Sequence, residues 1–216
     1  MGASYKNLAV AYAVVSDFKE ALSLCLKALQ ISEICYGLDS VEVARDRQLL
    51  SVIYARLDEN DKALERNELA RGTLRSLDLE TKLLELEIET TNIRISMGSD
   101  GEAIEILKIV IQRVEKESEM RAFVFVSMAK ALCCQEKFGQ AKRCLEIACG
   151  VLDKKDSVSS FKVYETYAEI LMIHKMMNEF ETALSLMKRT LTIVGRLPSS
   201  STCRGASRQG WGGCFS

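Results

Sequence analysis

The sequence predicts an all-α fold: an α-solenoid, coiled as a right-handed superhelix of about five helical hairpins. Three observations carry this. First, Ala21, Ala63, Ala103, Ala141 and Ala183 recur at intervals of 42, 40, 38 and 42 residues, each inside a similar phrase such as Asp17-Phe18-Lys19-Glu20-Ala21-Leu22 or Glu179-Phe180-Glu181-Thr182-Ala183-Leu184. A period in this range belongs to stacked helical units rather than to one closed globule. Second, a single proline and twelve glycines interrupt 216 residues, which favours long helices over a turn-rich β fold. Third, 48% of the residues are apolar and they recur at helical spacing, so hairpins stacked side by side can bury a continuous core.

Taken in order, the helices are expected over 2–15, 18–36, 40–57, 60–77, 80–97, 100–117, 120–135, 138–153, 158–176 and 179–196. In the first hairpin, Leu8, Ala9 and Tyr12 mark one apolar face and Val15-Ser16 leads into a turn. Asp17 then caps the next helix, and Glu20 three residues later completes a capping box. Ala21, Leu22, Leu24, Cys25, Ala28, Leu29 and Ile31 follow at helical spacing. Ser99 with Glu102, and Asn178 with Glu181, promise the same device at later turns. Glu85, Glu87 and Glu89 read as a wet face beside core residues Leu83, Leu84, Leu86 and Ile88. The array is expected over 1–196, as repeats 3–38, 40–78, 80–118, 120–155 and 158–196. Residues 197–216 form a Ser/Gly-rich tail that starts at Leu197-Pro198, holds the one tryptophan, Trp211, and is expected to be disordered. No polar capping helix precedes the first helix or follows the last, so the sequence reads as a fragment or shortened form of a longer array.

The function classes narrow accordingly. A net charge of −1 offers no global positive field, which excludes nucleic acid as a partner. No run of about 18 apolar residues could span a bilayer, and no secretory leader is evident, so direct membrane insertion is not expected. The eight cysteines sit largely in helical segments, where a free thiol behaves as a small hydrophobe, and a reducing, cytoplasmic compartment follows. Lys6 stands where a myristoylation signal needs Ser or Thr, and Cys214-Phe215-Ser216 is one residue short of a prenylation box. Cys133, Cys134, Cys144 and Cys149 lack the spacing and the histidines of a zinc site, and no glycine-rich phosphate loop occurs. His174, the single histidine, reads as packed or solvated. No catalytic residue, metal or cofactor is expected, and the chain is not expected to be an enzyme.

The repeats resemble tetratricopeptide repeats. Leu8, Ala9, Tyr12, Ala21 and Ala28 of the first are matched by Leu50, Ser51, Tyr54, Ala63 and Ala70 of the second, all five at one offset of 42. Plain tetratricopeptide repeats have a period of about 34. The longer period, with Tyr5-Lys6-Asn7-Leu8-Ala9 and the linker Tyr36-Gly37-Leu38-Asp39-Ser40-Val41-Glu42-Val43-Ala44, is similar to the kinesin light chain type and to the related proteins of plants. The pattern departs in the third repeat, where Thr90 and Arg94 replace Leu and Tyr, and in the fifth, where His174 takes the tyrosine place. The resemblance covers residues 3 to about 196. It implies an adaptor that binds cargo or peptide segments, with a link to microtubules and the cytoskeleton.

In such arrays the first helix of each pair lines a concave surface. Projected onto this chain, that surface comprises Lys6, Asn7, Val10 and Val14; Arg45, Gln48, Leu49, Val52 and Arg56; Glu85, Ile88, Glu89, Asn92 and Ser96; Phe123, Val126, Ser127, Lys130 and Cys134; and Glu165, Glu169, Met172 and Met176. Its mixed charge suits an extended peptide with a charge pattern of its own. The family's groove asparagine survives only as Asn7, and Val10 occupies an asparagine place of the carboxylate clamp found in co-chaperone modules. Two alternatives to the adaptor stand open: a co-chaperone-type module, and a structural array that associates with further copies of itself.

Overall fold

The computed structural model describes residues 2–153 and 161–195. They form ten helices: α1 (Gly2–Val14), α2 (Phe18–Tyr36), α3 (Val41–Arg56), α4 (Asn60–Ser76), α5 (Glu80–Ser96), α6 (Asp100–Arg113), α7 (Glu119–Cys134), α8 (Phe138–Asp153), α9 (Phe161–Met176) and α10 (Phe180–Gly195). No strand occurs among the described residues. The all-α class of paired helices is therefore the one observed. The chain divides into two compact units, Met1–Lys154 with α1 to α8, and Lys155–Ser216 with α9 and α10. The expected tail, 197–216, and the start of the ninth helix at 158 lie outside the described residues.

Among the described residues one turn recurs six times. Ser16, Asp58, Asp78, Gly98, Glu136 and Asn178 adopt φ of 63°, 60°, 53°, 82°, 59° and 60°. In each case the next residue donates its N–H five positions back: Asp17 to Tyr12 at 2.9 Å, Glu59 to Tyr54 at 2.9 Å, Leu79 to Leu74 at 3.1 Å, Ser99 to Arg94 at 3.0 Å, Lys137 to Leu132 at 2.9 Å and Glu179 to His174 at 2.9 Å. The left-handed residue reverses the chain while the last carbonyls of the finished helix keep a donor. Only Gly98 meets this conformation without a Cβ penalty. Asn178 is therefore the left-handed residue of its turn and not the cap it was expected to be; a short side chain that bonds locally tolerates that conformation.

The expected capping boxes are realised unevenly. Asp17 accepts from the Glu20 N–H at 3.3 Å. Ser99 makes no side-chain cap bond, and the reciprocal half of the box is unused as well: the Ser99 N–H bonds the Arg94 carbonyl at 3.0 Å and the Glu102 carboxylate pairs with Arg94 at 2.5 Å. Ser40 caps α3 through the Val43 N–H at 3.3 Å and also donates to the Gly37 carbonyl at 3.0 Å. The helix α6 ends at Arg113 rather than running to 117. Val114 turns to an extended conformation (φ −99°, ψ 133°) and buries its side chain, leaving the polar Glu115-Lys116-Glu117 in the connection.

The core of the first unit passes from neighbour to neighbour. Leu24, Cys25, Leu29, Val43, Leu50, Ile53 and Tyr54 fill the space among α1 to α4, reached by Ile93 of α5. Ala44, Ala70, Leu74 and Leu86 join α3, α4 and α5, and Leu84, Ile88, Leu107, Val110, Val114 and Val124 join α5, α6 and α7. In the first four hairpins the recurring alanine is fully sealed from solvent. Its counterpart on the first helix of each pair, Ala9, Ser51, Thr91 or Ala129, is at most 1% exposed and no larger than threonine. Two small residues at a crossing let the helix axes approach closely.

The turns give a direct test. A Cβ on Gly98 meets nothing within 4 Å, so Gly98→Ala pays for conformation alone and is expected to cost about 1 kcal/mol. Glu136→Gly relieves the same strain and is expected to stabilise by about 0.5 kcal/mol. Urea unfolding measures both; an unchanged midpoint for Gly98→Ala contradicts the assignment.

Candidate functional site

Counted back from each recurring alanine, the positions eighteen, fourteen, eleven and seven residues earlier share one stripe of the first helix of every pair. On α1 these are Ala3, Asn7, Val10 and Val14; on α3, Arg45, Leu49, Val52 and Arg56; on α5, Glu85, Glu89, Asn92 and Ser96; on α7, Phe123, Ser127, Lys130 and Cys134. Asn7, Val10, Val14, Arg45, Val52, Arg56, Ser96 and Cys134 are exposed; Leu49, Glu85, Glu89, Asn92, Phe123 and Lys130 are half-buried. Gln48, next to Leu49 of the α3 stripe, donates to the Glu89 carboxylate of α5 at 3.4 Å, so the two helices approach each other at that level. On α9, Glu169 and Met172 are exposed in the same registers, while the side chain of Glu165 lies outside the described residues.

Three expectations need correction. Ser127 is only 2% exposed and is part of the interior, as are Ile88 and Val126. Of the four stripe registers on α7, those of Phe123, Lys130 and Cys134 reach the surface. Lys6 is not a free cation: it forms an ion pair with Asp46, whose carboxylate is buried. Gln48 is likewise engaged with Glu89 and so is not an idle donor.

Asp46 is the residue that sequence reasoning missed. Its Oδ2 accepts from Ser32 at 2.5 Å and its backbone carbonyl accepts from the Cys25 thiol at 3.8 Å. Beside it, Arg47 reaches Glu33 at 3.5 Å and donates to Thr73 at 3.3 Å, and Asn67 donates to Thr90 at 3.2 Å. These polar links tie α1, α2 and α4 to α3, and α4 to α5. The only sequence signal was an acid in a register that is uncharged elsewhere, with Ser4, Leu86, Val124 and Thr166 at the matching places. Burial pushes the Cys25 thiol up to about 12, the Asp46 carboxylate adding to the rise and Lys6 opposing it. Such a thiol is a packing group, not a nucleophile. Cys133 and Cys144 are also buried, whereas Cys134 is exposed, contrary to a purely interior role.

His174 is buried, with Nδ1 2.9 Å from a Glu179 carboxylate oxygen, and so ties α9 to its turn. No group of three or more metal-ligating side chains occurs among the described residues, and none of the described helices is long and apolar enough to cross a membrane. A groove of about 580 Å³ lies among α6, α7 and α8, with Ile104, Leu132 and Cys144 below and Lys108, Lys137 and Arg143 at its rim.

Comparisons with known proteins agree with this geometry. Residues 1–76 match the family model described as tetratricopeptide repeat. The chain is similar to Protein KINESIN LIGHT CHAIN-RELATED 1 of Arabidopsis thaliana, 24% identical over 207 residues, covering 94% of this chain and 34% of that protein. It is similar also to KINESIN LIGHT CHAIN-RELATED 2 of the same plant, 26% identical over 205 residues, covering 92% of this chain and 31% of the relative. The chain thus spans about a third of the length of these relatives. Among solved structures, NprR in complex with its cognate peptide NprX aligns at a TM-score of 0.68 and 14% identity, over 89% of this chain and 55% of that one, a likeness of fold.

The Asp46 cluster makes a quantitative expectation. Lys6→Ala leaves a carboxylate buried without its counter-charge and should cost about 3 kcal/mol in urea unfolding. Arg45→Ala, one residue from Asp46 but exposed, should cost under about 0.5 kcal/mol. Equal effects for the two variants contradict the assignment.

Proposed function

We propose that this chain is a non-catalytic scaffold that holds an extended protein segment along the stripe formed by α1, α3, α5 and α7. The observation that carries the reading is the stripe itself: Val14, Arg56, Ser96 and Cys134 share one register and are exposed on all four first helices, and the register of Val10, Val52, Asn92 and Lys130 is exposed or half-buried on each. Its surface alternates in character. Val10, Val14 and Val52 offer apolar contact, Arg45 and Arg56 offer cations on α3, and Glu85 and Glu89 offer acids on α5. A ladder of that kind selects a partner by charge order while apolar anchors supply affinity. Glu165, Glu169 and Met172 carry the same registers in the second unit, and the repeat reading over 1–196 is part of the proposal.

The names of the relatives support a kinesin light chain-like adaptor; a protein or peptide partner, a cytoplasmic site of action and a link to microtubules are part of the same proposal. The peptide that NprR holds on a similar fold supports an extended ligand. A co-chaperone clamp is the weaker reading, since Val10 stands where that clamp needs an asparagine amide.

The test is selection from a display library of about 15-residue peptides on the whole chain, followed by titration of the selected binders. Arg45→Glu with Arg56→Glu changes only exposed side chains and should weaken binding about tenfold with the fold intact by circular dichroism. Binding unchanged in that variant, or no binder selected by the wild-type chain, overturns the placement.

A further inference from the structure

We infer that two copies of this chain associate head to tail, the outer face of α1 in one copy packing against the outer face of α10 in the next. The repeat itself supplies the argument, because it shows what each face is built to meet. On α1, Ser4, Leu8 and Ala11 lie on one side and are exposed. The matching residues of α3 are Asp46, Leu50 and Ile53, all buried, and those of α9 are Thr166, Ile170 and Ile173, also buried. The places of Ser4 and Ala11 are buried on α5 and α7 as well, by Leu86 and Ile93 and by Val124 and Ala131. Leu8 is 47% exposed, whereas Leu50 in its register is fully covered.

The partner surface is defined by the same logic. Four residues after the recurring alanine stand Cys25, Asn67, Leu107 and Leu145, none more than 1% exposed. In α10 that register is Met187, 49% exposed, flanked on the same face by exposed Phe180 and Leu184. Ala183 itself is only half-buried, unlike the recurring alanines before it. Two contacts show what this register touches: the Cys25 thiol bonds the Asp46 carbonyl, and the Asn67 amide bonds Thr90. Asp46 and Thr90 occupy the registers of Ser4 and Leu8. The uncovered register of α10 is thus the natural cover for the uncovered registers of α1. A flexible methionine seated on Leu8, beside the small Ser4, makes an apolar contact where α2 and α3 make a polar one. The two faces differ, so the contact is heterologous and leaves one free face at each end of a dimer.

Light scattering or sedimentation of the 216-residue chain from about 5 to about 200 µM tests this. The mass should rise with concentration above 24.1 kDa. Leu8→Asp and Met187→Asp change exposed side chains, and each alone should stay monomeric. Mixed in equal amounts they should form a dimer and stop there, since the mixture holds one intact α1 face and one intact α10 face. Ala11→Asp and Leu184→Asp, also at exposed positions of the two faces, repeat the test if either variant unfolds. A wild-type mass of 24.1 kDa throughout, self-association in both single variants, or no dimer in the mixture overturns the inference.

Discussion

The burial of small residues on both helices of each of the first four hairpins is the constraint from which the rest follows. Ala21, Ala63, Ala103 and Ala141 have no exposed surface, and each sits in a pair whose other helix offers Ala9, Ser51, Thr91 or Ala129. Neither partner gains much by burying a methyl or a hydroxymethyl group. What the crossing provides is proximity, so that larger neighbours such as Leu50, Leu74, Leu107 and Leu145 interdigitate and exclude water. The turn is the second half of the same device. One left-handed residue and one backbone bond spanning five positions reverse the chain, and among the described residues this pairing occurs six times with six different sequences.

Around that constraint the first helix of each pair divides its surface among three tasks. One side meets its own hairpin mate, another meets the preceding hairpin, and a third is left for solvent or a partner. The polar links between neighbours follow this division. Asp46 and Arg47 face back toward Ser32 and Glu33, while Arg47 and Asn67 reach forward to Thr73 and Thr90. Buried polar contacts of this kind add little net stability but penalise a slipped register, because a shifted helix leaves a charge unpaired. On α5 and α6 the same task passes to the surface, where Arg113 holds Glu80 at 2.5 Å and Glu87 at 3.1 Å.

Helix positions were legible because they depend on local signals: apolar spacing, a turn every twenty or so residues, and the recurring alanine. The expected and observed ends agree closely at α2, α4 and α8. The end of α6 was not legible, since Val114 leaves the helix to bury its side chain, a tertiary gain invisible to local pattern. The same is true of the capping box at Ser99, whose Glu102 carboxylate pairs with Arg94 across the turn rather than turning back to the Ser99 N–H. For the candidate site, the stripe could be projected from periodicity, but its depth could not. Ser127 and Val126 look like surface residues by spacing and are buried. Lys6 was read as a groove cation because its counter-ion, Asp46, lies forty residues on. Conversely, an exposed Met187 is meaningful only beside the four buried residues that share its register.

The most direct measurement compares the unfolding free energies of Ala63→Leu and Ala183→Leu in urea. A leucine at the sealed crossing of α3 and α4 must force the helices apart and is expected to cost about 2 kcal/mol, whereas at the half-buried Ala183 the change should stay under about 0.5 kcal/mol. A cost at Ala63 no greater than that at Ala183 would contradict the view that the close crossing organises the repeat.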